Sequence, residues 1–220
     1  MIKIKICGIR TLEEALAVIE AGADILGFNF YPSSPRYIKP GDAMRLTVRL
    51  ETALREEMAR ISLVGVFVNA EPNYIHAVFR DCHLDNIQLS GDEPPEALEA
   101  LGERAFKVLR PTTEEELFDA VNRYPRRTLA PAWLIDTYHP GLYGGTGEPV
   151  DWNLACTLAK QAPIILAGGL RADNVAAALR QVHPWGVDVA SGVESAPGVK
   201  DLQKVAAFVQ AVRSFAEEPA

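Results

Sequence analysis

Cysteine is scarce here. Three residues, Cys7, Cys82 and Cys156, are scattered over 220 positions. An odd and dispersed set excludes a disulfide framework, and no Cys-x-x-Cys pair is present to bind a metal. Long apolar runs are also missing, which excludes a membrane-spanning helix. The chain enters an apolar alternation directly at Ile2, without a signal-peptide core. A reduced, cytoplasmic protein is expected. Positive charge is in deficit, with 22 Lys and Arg against 29 Asp and Glu and a net charge of −7. That balance argues against a nucleic-acid surface, which depends on clustered basic residues. Of the four histidines, His76 and His83 lie two turns apart on an expected helix, and His139 and His183 each precede a proline. None has the carboxylate or cysteine company of a metal site, so no metal is expected. A Gly-x-Ser-x-Gly elbow is absent as well.

What is present is an even mixture, 48% hydrophobic and 23% charged, as in ordinary globular chains. Short β-branched runs at Ile2–Ile6, Ile25–Phe30, Leu63–Val68, Asn86–Leu89, Ala105–Leu109, Trp133–Ile135, Ile164–Ala167 and Val187–Ala190 read as strands. Amphipathic segments near 12–21, 41–60, 72–82, 94–102, 113–123, 152–161, 172–182 and 200–215 read as helices. Eight strand-plus-helix units without a break in composition predict an α/β protein, a closed (β/α)₈ TIM barrel spanning 1–220 as one domain. A doubly wound open sheet is the competing architecture. The tail Glu217-Glu218-Pro219-Ala220 is expected to fray.

In such a barrel chemistry belongs at the C-terminal ends of the strands. The first strand alternates Ile2, Ile4 and Ile6 on one face with Lys3, Lys5 and Cys7 on the other. A thiol at a strand end beside two lysines is a candidate thiolate. A free cysteine is equally a small core hydrophobe. Past strand 2, the proline-stiffened loop from Asn29 to Tyr37 presents Arg36, whose planar fork suits a carboxylate or phosphate. Past strand 6 comes Asp136, a general acid or base, or a cap. The Gly-rich stretch Gly141–Gly147 after it matches neither a P-loop nor a dinucleotide fingerprint. Gly168-Gly169 after strand 7 and Ser191-Gly192 after strand 8 put small residues in two consecutive loops. They predict a phosphate cup of backbone N–H groups.

With these residues assembled, the chain resembles the phosphoribosylanthranilate isomerases of tryptophan biosynthesis over nearly its whole length. The segments that carry the likeness are Lys5-Ile6-Cys7-Gly8, Gly22-Ala23-Asp24 with Gly27-Phe28-Asn29-Phe30, Ser34-Pro35-Arg36-Tyr37-Ile38 and Gly65-Val66-Phe67-Val68-Asn69. They continue with Asp136, Gly144-Gly145-Thr146-Gly147, Leu166-Ala167-Gly168-Gly169-Leu170 and the run from Asp188 to Glu194 followed by Pro197-Gly198-Val199-Lys200-Asp201. The resemblance implies an Amadori rearrangement of N-(5-phospho-β-D-ribosyl)anthranilate to 1-(2-carboxyphenylamino)-1-deoxy-D-ribulose 5-phosphate, without a cofactor. It implies Cys7 as general base, Asp136 as general acid, Arg36 on the anthranilate carboxylate, and Gly168, Gly169, Ser191 and Gly192 on the phosphate. Lys5 is expected to help Cys7 ionise, and Asp136 to have a raised pKa. Two positions depart from the family pattern: Ser90 stands where histidine is usual, and Glu148 where lysine is common. Ser90 is kept as a supporting residue.

The expected partner is a small phosphorylated molecule, with no nucleic acid and no membrane; monomer and homodimer are both open. Two other readings are weighed. One is the histidine-pathway aminoaldose isomerase, which uses paired aspartates, and Cys7 counts against it. The other is a barrel that binds a phosphorylated metabolite without turnover.

Overall fold

The computed structural model describes residues 1–137 and 150–217; the Gly141–Gly147 loop, His139, Glu148 and the last three residues lie outside them. Eight parallel strands close on themselves in chain order: β1 Lys3–Cys7, β2 Ile25–Asn29, β3 Ser62–Phe67, β4 Asn86–Leu89, β5 Ala105–Leu109, β6 Trp133–Ile135, β7 Ile164–Leu166 and β8 Gly186–Val189. The last strand pairs with the first, Lys5 beside Asp188. Eight helices alternate with the strands: α1 Leu12–Glu20, α2 Pro40–Leu54, α3 Pro72–Asp81, α4 Pro95–Leu101, α5 Glu114–Arg123, α6 Trp152–Ala159, α7 Val175–Val182 and α8 Leu202–Glu217. The open-sheet alternative is thereby excluded.

Local chemistry places the helix starts. Thr11 and Glu14 form a reciprocal capping box at α1. Pro40, Pro72 and Pro95 each begin a helix, where their missing N–H has no partner to lose. Two hydrophobic clusters follow from strand alternation. The larger joins outward strand residues such as Ile4, Ile6 and Phe67 to helix residues such as Leu50 and Phe208. The smaller consists of the strand residues Ile25, Val64, Phe106, Val108, Leu134 and Ile165, with Ala167 just past β7, and fills the barrel itself.

Three details differ from expectation. The long second helix stops at Leu54, and Arg55–Arg60 is a 3₁₀ turn with no buried residue. Only Met58 of that segment packs, half-buried, against the core, so little apolar burial is gained by continuing the α-helix. Helix α7 starts at Val175 rather than near 172, after a turn in which Asn174 accepts from the Arg171 N–H. The segment after β8 also contains a 3₁₀ turn, Ser191–Val193, and a small antiparallel ribbon, β9 Glu194–Ala196 with β10 Val199–Lys200. The ribbon's turn rests on the strand 2 loop: a Cβ on Gly198 would lie 2.4 Å from the Pro35 carbonyl oxygen.

Candidate active site

Strand β1 carries Lys5 and Cys7 toward the barrel axis, where both are buried. Cys7 lies beside Gly27 of β2, and a Cβ on Gly27 would meet the thiol sulfur at 2.9 Å. Only glycine leaves room for that sulfur. The chain then turns at Gly8 with φ +87°, and the Arg36 stem lies against it, 2.8 Å from where a Cβ would be. Two strand ends thus bring a thiol and a guanidinium to the same mouth.

Charge partners fix these groups. Lys5 Nζ donates to Asp188 Oδ2 at 2.8 Å across the β1–β8 closure, and Asp188 Oδ1 is buried without a partner among the described residues. Burial works against the charge on Lys5, but Asp188 and Cys7 outweigh it and hold its pKa above that of a free amine. Lys3 takes no part in this: it pairs with Asp24, 3.1 Å away, and lies with it at the opposite end of the barrel. Arg36 is held in a double hydrogen bond, Nε to Glu194 Oε1 and Nη2 to Oε2, both 2.8 Å. Lys200 donates to the same Oε1 at 2.8 Å. Burial alone would push Glu194 toward the neutral acid; its two cationic donors more than reverse this and hold its pKa low. The β9–β10 ribbon therefore supplies both the carboxylate that orients Arg36 and the lysine that shares it.

Cys7 and Asp136 show the opposite pattern. Burial pushes the Cys7 thiol up; Lys5, Lys200 and Arg36 pull it down, Asp188 pushes it up, and the balance stays above the ordinary value. The expected help from Lys5 is present in direction but is smaller than the desolvation cost, and Asp188 absorbs part of it. Asp136 follows β6, its N–H donating to the Leu109 carbonyl and its Oδ1 accepting from the Thr137 N–H at 2.8 Å. Burial raises its pKa, and the nearby Arg110 charge offsets this only in part.

Gly168 and Gly169 both have positive φ, +87° and +60°. A Cβ on Gly168 would fall 2.4 Å from Thr137 Oγ1, and one on Gly192 would fall 2.0 Å from the Leu170 carbonyl oxygen. The loops after β6, β7 and β8 are therefore in close contact, and glycine permits it. Ser90 is buried at the end of β4 and accepts from Gln88 Nε2 at 3.0 Å. Beyond it, Glu93 and Lys107 form a buried ion pair at 2.8 Å, with Glu93 also accepting from the Asn69 and Gly91 N–H groups. That cluster braces the loops after β3 and β4.

Sequence reasoning assigns no role to Asp188, Glu194, Lys200 or Arg110. A signal exists for the first. Lys5 and Asp188 are charges at inward positions of otherwise apolar strands, and such a charge must find an opposite one. Glu194 and Lys200 cannot be placed without the ribbon.

The family model described as N-(5'-phosphoribosyl)anthranilate (PRA) isomerase matches residues 4–211. This chain belongs to that family. Among PRA isomerases, the Myxococcus xanthus protein is 45% identical over 97% of each chain, and that of Roseiflexus sp. is 44% identical over 99% of this chain and all of its own. The solved PRA isomerase from Thermotoga maritima superposes with a TM-score of 0.84 at 37% identity, covering 97% of this chain and 100% of its own. Another solved PRA isomerase, in complex with reduced 1-(o-carboxyphenylamino)-1-deoxyribulose 5-phosphate, gives 0.81 at 36% with the same coverage.

Proposed function

We propose that this protein isomerises N-(5-phospho-β-D-ribosyl)anthranilate to 1-(2-carboxyphenylamino)-1-deoxy-D-ribulose 5-phosphate, with Cys7 and Asp136 as its base and acid. The observation that carries the reading is a full-length family match in which a thiol and a protonatable carboxyl end strands β1 and β6 of one mouth. The reaction needs one group to donate a proton and one to accept. Asp136 gives its proton to the furanose ring oxygen, the C1′–O bond opens, and the nitrogen lone pair forms an iminium. The Cys7 thiolate then takes the C2′ proton, and the electron pair left behind makes the enolamine. Protonation at C1′ and loss of the enol proton give the ketose. Hydrogen moves from C2′ to C1′, so atoms and electrons balance within the substrate.

The pKa shifts suit one role and oppose the other. A raised Asp136 keeps a transferable proton, as a general acid requires. A raised Cys7 resists forming the thiolate. Arg36 presents the Nη1 end of its fork to the anthranilate carboxylate while Glu194 holds the other edge. The Gly168–Gly169 and Ser191–Gly192 backbones take the phosphate at the far side of the mouth. A substrate anchored at both ends has its ribose between thiol and carboxyl.

The test is loss of phosphoribosylanthranilate fluorescence. Cys7→Ser and Asp136→Asn should each lower kcat by about 10²–10⁴-fold with the fold retained by circular dichroism. Wild-type turnover in either variant would remove that residue from the mechanism.

A further inference from the structure

Arg36 and Glu194 must meet across two separate loops, one after β2 and one after β8. Their double hydrogen bond tolerates little slippage, because a planar fork fits a carboxylate in one register. Each loop is secured within itself. In the strand 2 loop, Asn29 Nδ2 donates to Ser34 Oγ at 3.2 Å, and that oxygen accepts from the Arg36 N–H at 3.2 Å. At the foot of the ribbon, Lys204 Nζ donates to the Glu194 carbonyl at 2.8 Å and Lys200 Nζ to the Ala190 carbonyl at 3.2 Å. Neither set of bonds reaches from one loop to the other.

Arg10 does. It follows β1, past the turn at Gly8, and its Nη1 lies 3.3 Å from the Pro35 carbonyl oxygen and 3.3 Å from that of Gly198. That nitrogen carries two hydrogens, one for each acceptor. Pro35 immediately precedes Arg36, and Gly198 lies at the ribbon's turn, between Glu194 and Lys200 in the chain. The approach is close: a Cβ on Gly198 would fall 2.9 Å from Arg10 Nη1. Both carbonyls gain a charge-assisted donor, and the two loops gain a shared anchor. The Arg10 backbone is itself fixed, its N–H donating to Glu14 Oε2 at 2.9 Å beside the α1 capping box.

We propose that Arg10 is a positioning residue for the anthranilate carboxylate: it ties the Arg36 loop to the ribbon, so the Arg36–Glu194 fork stands formed before substrate arrives. Arg10 acts through Arg36 and handles no proton of the reaction. A fork already in place spares the substrate the ordering of two loops, so the gain falls on binding rather than on proton transfer. Arg10 is exposed and water competes for its donors, which keeps the effect modest. The inference rests on the isomerase reading, in which Arg36 takes that carboxylate.

Steady-state kinetics with phosphoribosylanthranilate test it. Arg10→Met should raise KM about threefold to tenfold, roughly the worth of one net hydrogen bond, and leave kcat within about twofold. Arg10→Lys, a cation that can still donate to both carbonyls, should recover most of the loss. Should Arg10→Met not fold, Arg10→Gln, uncharged and shorter, is read in its place. In an Arg36→Met background, with no fork left to hold, Arg10→Met should leave kcat/KM unchanged. A wild-type KM in the folded variant, a fall in kcat alone, or an equal loss with and without Arg36 would overturn the proposal. So would an Arg10→Lys variant as impaired as Arg10→Met. Absence of turnover in the wild-type protein would instead overturn the isomerase reading, and this inference with it.

Discussion

In the proposed mechanism the protons of Cys7 and Asp136 set the pH behaviour of the reaction. Both pKa values are raised, the thiol starting from the higher ordinary value. The productive form needs Cys7 ionised and Asp136 protonated, so the kcat/KM profile should be a bell whose two limbs belong to the coupled pair. Asp188 offers a way to test the sign. Its negative charge raises both pKa values, so Asp188→Asn should lower both and carry both limbs to lower pH. A profile measured in a constant-ionic-strength buffer series would show it; limbs that stay in place would mean that Asp188 has no electrostatic hold on the pair.

In the proposed mechanism the loops after the strands decide how close the substrate comes to these groups. At Gly168 an alanine would be strained twice, by φ +87° and by a Cβ 2.4 Å from Thr137 Oγ1. Gly168→Ala should cost about 1–3 kcal/mol of stability and raise KM together with the inhibition constant of inorganic phosphate. Thermal melts and phosphate inhibition would measure the two effects. Strand and helix positions are legible in the sequence itself, because alternation and the 3.6-residue period state them directly: Asn86–Leu89, Ala105–Leu109 and Trp133–Ile135 agree to the residue. The glycine pairs are legible as loops able to approach a ligand. The short β9–β10 ribbon is not, since strands of three and two residues carry too little pattern. For that reason the sequence presents Arg36 as a free ligand fork, whereas Glu194 holds one of its edges. The electrostatic balance at Cys7 is hidden for a similar reason: neighbouring lysines are visible in sequence, but burial and a cross-barrel aspartate are not.

At the scale of the molecule, the cylinder is locked where its ends meet. Arg213 of α8 donates to the carbonyls of Ile2 and Gly22 and to Asp24 Oδ2, binding the final helix to the first two strands. Arg213→Met should remove about 2 kcal/mol and lower Tm by about 5 °C, read by calorimetry, without changing kcat. The same closure has a temporal consequence. Lys5 and Arg36 emerge from the ribosome early, yet their counter-charges Asp188 and Glu194 are 183 and 158 residues later in the chain. Until those carboxylates are synthesised, burying either cation would leave it uncompensated, so a partly made barrel is discouraged from collapsing around its own mouth. The Lys5–Asp188 and Arg36–Glu194 pairs can therefore close only once the chain has been made past the eighth strand.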